Sequence, residues 1–450
     1  MAKLRSRYTP CIMLHETVSV IIILAGMAAI AAGRIPRLRM NRAAMAIATA
    51  ALLVAWGSID LDEALDSIDP ATIVLLFSMM IIVAAGRMSG AFDIVAVRLA
   101  GLAARPHLYL AAVVSTAGVL SALFLNDTMC LVLAPVVTVT SLRARRNPIP
   151  YLIAVATAAN VGSAATIIGN PQNMLIGAGS RIAFSTFVAS LGPVSALGLF
   201  VCWAVIVLAF PSEFGRREGP SHSKLSQKVH TTDGGEHEHT YIGASVTPVV
   251  PVVAAASMGS YTLDRRLLVK TGIASIAMLV MLLAGVPVAL AATLPAAFLL
   301  ASRRIESAQL LAGVDFNLLV FFGGLFVITT AAEGTASFAY LERTVLSGTV
   351  QSPWLFAAAT TVASNIISNV PAVMVLSPLA TSAADPEAIW IMLAMASTFA
   401  GNLTYLGAVA NLIVAEGAAS RGVTLGFWQY FRAGFPITVL TLVLGVVMAG

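Results

Sequence analysis

Four polar clusters interrupt an otherwise apolar chain, and each combines residue types able to hold a small solute. The first is Asn126-Asp127-Thr128. The second contains Asn160, Ser163 and Thr166 and runs into Gly169-Asn170-Pro171-Gln172-Asn173. The third is Ser368-Asn369-Val370-Pro371, and the fourth is Gly401-Asn402-Leu403-Thr404 with Asn411 further on. Glycine and proline unwind a helix, while Asn, Gln, Ser and Thr supply neutral donors and acceptors. Half-helix N-termini suit an anion through their free N–H groups and positive dipole end. Free carbonyls at half-helix C-termini suit Na⁺, so one such site can hold a substrate and a coupling ion together. The expected substrate-binding set is Asn126, Thr128, Asn160, Ser163, Thr166, Asn170, Gln172, Asn173, Ser368, Asn369, Asn402, Thr404 and Asn411. One such residue alone is well explained by close helix packing; four clusters at repeat-related positions are better explained by a site.

Asp127 is the acid this reading places deep in the membrane. An ionised carboxylate there is costly and tends to be paired, metal-bound or protonated. It is expected to bind the coupling ion, H⁺ or Na⁺; the alternative is a cap on the half-helix that follows. No catalytic residue and no cofactor beyond a coupling ion is expected. His15 and His107 sit at span ends, too scattered for a membrane-embedded enzyme. His222, His230, His237 and His239, with Glu236 and Glu238, form a His-rich tract of the kind that binds Zn²⁺ or Ni²⁺, in what otherwise reads as a flexible linker. Cys11, Cys130 and Cys202 make no close pair, so neither a disulfide nor a metal site is expected. No Walker motif is present, so ATP hydrolysis would need a separate subunit.

The elements that must position these residues are membrane helices. Of 450 residues 58% are hydrophobic and 10% charged, too few charges for a soluble surface. The apolar runs neither alternate nor shorten as barrel strands would. The net charge of +5 sits in short loops, where it reports orientation rather than nucleic-acid binding. Two runs, 107–141 and 353–380, exceed the roughly 20 residues of one crossing and are broken in the middle. Arg87, Arg98, Arg105, Arg143, Arg145 and Arg146 flank the first; Glu333, Glu342, Asp385 and Glu387 flank the second. Basic flanks read as cytoplasmic and acidic ones as external, so the two runs are expected to be re-entrant hairpins entering from opposite faces. Arg34, Arg37, Arg39 and Arg42 place their loop inside. The basic residues at odds with this topology are Lys3, Arg5, Arg7, Arg181 and Arg343. The segment 87–105 reads as an amphipathic surface connector.

The halves align in order. Asn126 matches Asn369, Asp69 matches Asp315, Asn160 matches Asn402 at an offset of 242, and Asn173 matches Asn411. The expected fold is an all-α polytopic protein of the cell (inner) membrane: two inverted repeats, about ten spanning helices, two re-entrant hairpins and broken helices. Residues 1–210 form the first repeat, 211–266 a cytoplasmic His-rich linker, and 267–450 the second repeat.

These motifs, with Ala400-Gly401-Asn402-Leu403-Thr404 and Ala410-Asn411-Leu412-Ile413-Val414-Ala415-Glu416, resemble the ion-transporter superfamily of the ArsB/NhaD permeases and sodium-coupled dicarboxylate/sulfate symporters. The chain is most similar to the YbiR-type anion permeases with a citrate-transporter-like domain; plant silicon-efflux transporters are also similar. The resemblance implies hairpin tips near the midplane, a homodimer in the bilayer, and an ion-coupled permease for a small inorganic or organic anion or oxyacid. The symporter branch carries a Ser-Asn-Thr tip where this chain has Asn-Asp-Thr, and Ser-Asn-Val at the second. An acid at the tip repels a dianion unless protonated or cation-bound, which favours arsenite-like or silicate-like chemistry. The alternative mechanism is a Na⁺/H⁺ antiporter using Asp127.

Overall fold

The computed structural model describes residues 2–33, 40–215, 263–301, 306–341, 343–344 and 348–449. The His-rich tract and the loop arginines Arg34, Arg37 and Arg39 lie outside the described residues. Among the described residues the chain is helical, with no strand. The first ten elements are α1 (Ala2–Ala32), α2 (Arg42–Trp56), α3 (Leu61–Asp66), α4 (Pro70–Met88), α5 (Ala91–Leu102), α6 (Pro106–Leu123), α7 (Asn126–Arg143), α8 (Pro148–Ser163), α9 (Pro171–Ser180) and α10 (Phe184–Ala209). A single turn, α11 (Pro211–Phe214), follows. Ten more repeat the order: α12 (Arg265–Leu283), α13 (Val288–Leu300), α14 (Ser307–Ala312), α15 (Phe316–Glu333), α16 (Ala336–Leu341), α17 (Pro353–Ile367), α18 (Asn369–Thr381), α19 (Pro386–Ala400), α20 (Val409–Ala419) and α21 (Phe427–Ala449). Seven of the described helices are long and apolar enough to cross a membrane, and this is a multi-pass membrane protein.

Local chemistry sets many of the helix starts. Proline occupies the first turn of α4, α6, α8, α9, α17 and α19, where its missing N–H costs nothing. Asp69, Asn147, Asn170 and Asp385 cap four of these with side-chain oxygens. Both long runs are hairpins. The first turns at Phe124 and Leu125, both extended, and Asn126-Asp127-Thr128 forms the first helical turn of α7 rather than the unwound tip. The second turns at one residue, Ser368, whose φ of 76° is left-handed. The segment 87–105 holds the end of α4 and the short helix α5.

Between the two hairpins the described residues hold five apolar units, α8 with α9, α10, α12, α13 and α15, the odd number that an inverted repeat needs. The repeats interlock. The N-terminal ends of α2 and α15 meet where Asn41 Nδ2 donates to Asn317 Oδ1 at 3.1 Å, and α4 meets α13 where Ser78 and Thr293 hydroxyls lie 3.1 Å apart. The broken helices α8/α9 and α19/α20 meet at the centre: α8 and α19 pack on the hairpins of their own repeats, while α9 and α20 reach the opposite hairpin.

At the open end of the first hairpin, Arg146 ties the α7–α8 loop down. It donates to the carbonyls of Ala103 (2.6 Å) and Ala104 (2.7 Å) and pairs with Glu213 at 3.2 Å. Glu213 is buried and also accepts from the Tyr151 hydroxyl and the Asn147 N–H. The start of the segment expected to be linker is thus packed into the membrane domain.

Candidate functional site

The two broken helices are stitched by the same bond pattern twice. Asn173 Nδ2 donates to the carbonyls of Ser163 (3.2 Å) and Thr166 (3.0 Å) at the first break. Asn411 Nδ2 donates to the carbonyls of Gly401 (2.7 Å) and Thr404 (3.0 Å) in the second. Each asparagine then accepts from the opposite repeat: Asn160 donates to Asn411 Oδ1 at 3.0 Å, and Thr398 lies 3.4 Å from Asn173 Oδ1. Backbone groups freed at membrane depth must find partners, and these two side chains supply them. The pattern sets the register. Ser163 corresponds to Gly401 and Asn173 to Asn411, both 238 positions on, as do the helix starts Pro148 and Pro386. The mate of Asn160 is therefore Thr398. The sequence alignment of Asn160 with Asn402 is four residues out of register, because it matched two identical residues rather than the turns that carry them.

Asn160 is the hub of this network. Its amide N–H groups serve Asn402 Oδ1 (2.9 Å) and Asn411 Oδ1, so its own Oδ1 accepts from Asn126 Nδ2 at 3.1 Å. The first tip is thereby fixed to the centre of both breaks, and Asn126 keeps a buried Oδ1 without a partner. Asn369, at the same point of the second tip, also holds a buried, unpartnered Oδ1. Such groups are uncommon in folded proteins and call for an explanation.

A cavity of about 520 Å³ lies against both tips. Asn126, Asp127, Gln172, Ser368 and Asn369 line it. Asn160, Ser163, Asn170, Asn173, Asn402 and Asn411 are fully buried behind the wall, with Thr166, and their polar groups are spent on the breaks. Thr128 and Thr404 are half-buried and do not line the cavity. The structure thus divides the expected set into five residues at the cavity and nine that shape it or stand beside it. The starts of α2 and α15 also line the cavity.

Three charged residues at the cavity escaped the sequence reading of the site: Arg42, Asp315 and Glu416. Asp127 therefore shares the cavity with two further acids, both exposed at its rim. Asp315 caps α15, accepting from Asn317 N (3.0 Å) and Leu318 N (3.3 Å). Its alignment with Asp69 was a usable signal. Asp127 caps nothing: it is the second residue of α7 and lies within electrostatic range of Arg42. Half-helix N-termini add free donors, since neither α7 nor α18 nor α20 has a side-chain cap. Among the described residues no cluster of three His, Cys, Asp or Glu could hold a metal.

A family model described as a citrate transporter, CitMHS, matches residues 20–400. The chain belongs to the CitMHS citrate transporter family. This CitMHS member is 30% identical to a "46 kDa membrane protein" of Mycobacterium leprae (strain TN), over 90% of this chain and 92% of the relative. It is also 30% identical to the silicon efflux transporter LSI3 of Oryza sativa subsp. japonica, over 92% of this chain and 94% of that one. A solved structure, the Alcanivorax borkumensis YdaH transporter, is similar at 15% identity with a TM-score of 0.49, covering 97% of each chain. The family makes the chain a membrane transporter of anions or small solutes, and it places the cavity between the tips in that context.

Proposed function

We propose that the chain is an ion-coupled secondary transporter of a small hydroxylated oxyacid, bound neutral or singly charged between the two hairpin tips, with Asp127 holding the coupling ion. The observation that carries this reading is the cavity's chemistry. Asp127 and the two tip asparagines line a space walled by three acids and one arginine. A multiply charged carboxylate such as citrate meets net negative charge there. An uncharged oxyacid brings several hydroxyl donors to the asparagine and carboxylate oxygens, and its own oxygens can accept from the uncapped helix N-termini. The resemblance to a silicon efflux transporter points the same way.

A second reading, Na⁺/H⁺ antiport, gains support from Asp315 and Glu416, which give Asp127 acidic company around one cavity. Uptake into proteoliposomes separates the two. Germanic acid, arsenite, citrate, sulfate and ²²Na⁺ are offered in turn, with and without a pH gradient. The oxyacid reading expects germanic acid or arsenite to enter and citrate not to. Accumulation of ²²Na⁺ alone would replace it with antiport.

A further inference from the structure

Arg42 has no role in the account above, yet it stands inside the cavity. It is the first residue of α2, after the Asn41 cap, so its position is set by a helix start rather than by a loose loop. Its guanidinium rests over Gly33, where a Cβ would come within 3.3 Å of Nε and Nη2. Among the described residues it has neither a hydrogen bond nor an ion pair. Asp127, which lines the same cavity, is in the same condition, and the two are within electrostatic range.

The other charges that face the pair come from two elements. Asp315, at the head of α15, is committed to capping that helix, and Glu416 on α20 has an interaction of its own. The contributions of α1 (Ile30 to Gly33) and of the second tip (Ser368 to Val370) are uncharged. The cavity thus holds one uncommitted carboxylate and one uncommitted cation. A carboxylate that has lost its ion at membrane depth is costly unless something neutralises it. A guanidinium on a side chain with several rotatable bonds can do so without leaving the protein.

We propose that Arg42 is the tethered counter-ion of Asp127: its guanidinium takes the carboxylate when the coupling ion departs toward the cytoplasm, and yields it when an ion returns. The proposal rests on Asp127 as the coupling group. Arg42 then competes with the ion, speeds its cytoplasmic release, and keeps the empty cavity electrically balanced. Without Arg42 the ion is held too long. Net transport slows, whereas solute-for-solute exchange, which needs no ion release, continues.

The test has two arms on the full chain. The first needs no substrate: thermal unfolding in detergent of the unaltered protein, Arg42→Gln, Asp127→Asn and the double variant. A coupled pair predicts that the double variant loses less Tm than the two single losses added; strict additivity overturns the proposal. The second arm uses germanic acid in proteoliposomes. Arg42→Gln is expected to cut net, gradient-driven uptake by about ten-fold while exchange stays within about two-fold, and Arg42→Lys restores net uptake. Equal losses in both modes, or a loss in neither, overturn the proposal. If the unaltered protein moves no germanic acid, the oxyacid reading falls, and the thermal cycle alone decides for or against the pair.

Discussion

Asn173 and Asn411 do one job in two places, and that gives the residue scale its sharpest test. Each bonds two carbonyls at its helix break, and in each case one of them, Ser163 O or Gly401 O, has no other donor among the described residues. Replacing either by Ala orphans one buried acceptor, at roughly 1–3 kcal/mol, and weakens the satisfaction of a second. Asn173→Ala and Asn411→Ala should therefore lower Tm in detergent by similar amounts, and a marked asymmetry would mean the two breaks are not equivalent. The residue types were legible in the sequence, because Asn, Gly and Pro at membrane depth have few other uses. Which of them reach the cavity was not, since a buried asparagine that stitches a backbone and one that faces a solute look alike in a string. Arg42 was hidden for a different reason. It follows Arg34, Arg37 and Arg39, and a row of loop arginines reads as a sidedness signal until the helix start is seen to carry the last one into the cavity. Thr398 was missed because identity favoured Asn402, four residues along.

Elements are held at distances that leave no room for substitution at particular glycines. Where α6 and α8 cross, a Cβ on Gly162 would lie 2.2 Å from the Gly118 carbonyl oxygen and 2.4 Å from its Cα. Backbone cannot yield as a side chain can, so Gly162→Ala is expected to cost at least the 1–3 kcal/mol of a typical overpacked site, roughly. Folded yield and Tm should fall together. Gly272→Ala on α12, where nothing lies within 4 Å, should leave both unchanged; similar behaviour of the two variants would refute this packing. The Arg146–Glu213 pair belongs to the same scale. Removing Glu213 strands a cation that is 13% exposed, and breaking a buried pair costs about 3–5 kcal/mol. Glu213→Ala should therefore destabilise the protein far more than an exposed acid-to-alanine change such as Asp62→Ala, as read by Tm. The hairpins themselves were legible from run length and flanking charge. Their turning points were not, because Asn126-Asp127-Thr128 looks like a break but starts a helix. The actual turn falls at Phe124 and Leu125, which carry no Gly or Pro to mark it.

For the whole molecule, the two interlocked repeats fix sidedness. The first hairpin's mouth carries exposed Arg145, and the second's carries exposed Ser382. In a variant with Cys11→Ser, where the remaining Cys130 and Cys202 are buried, Arg145→Cys should react with an impermeant maleimide only from the cytoplasmic face. Ser382→Cys should react only from the outer face. Labelling of both from one side would remove the inversion. The inverted order was legible because loop charge and matching offsets agree. The register within it was not, since the two hairpins and the two breaks run at different offsets, 243 for Asn126 with Asn369 and 238 for Ser163 with Gly401, and only the bonded turns show it.

The central claim is that solute movement through the cavity between the tips is coupled to an ion held by Asp127. Proton movement in everted membrane vesicles, followed with a pH-sensitive dye, tests it most directly. Adding germanic acid or arsenite to vesicles with the unaltered chain should change the internal pH, and Asp127→Asn should abolish that change while leaving the protein folded and inserted. An undiminished signal in Asp127→Asn would contradict the account.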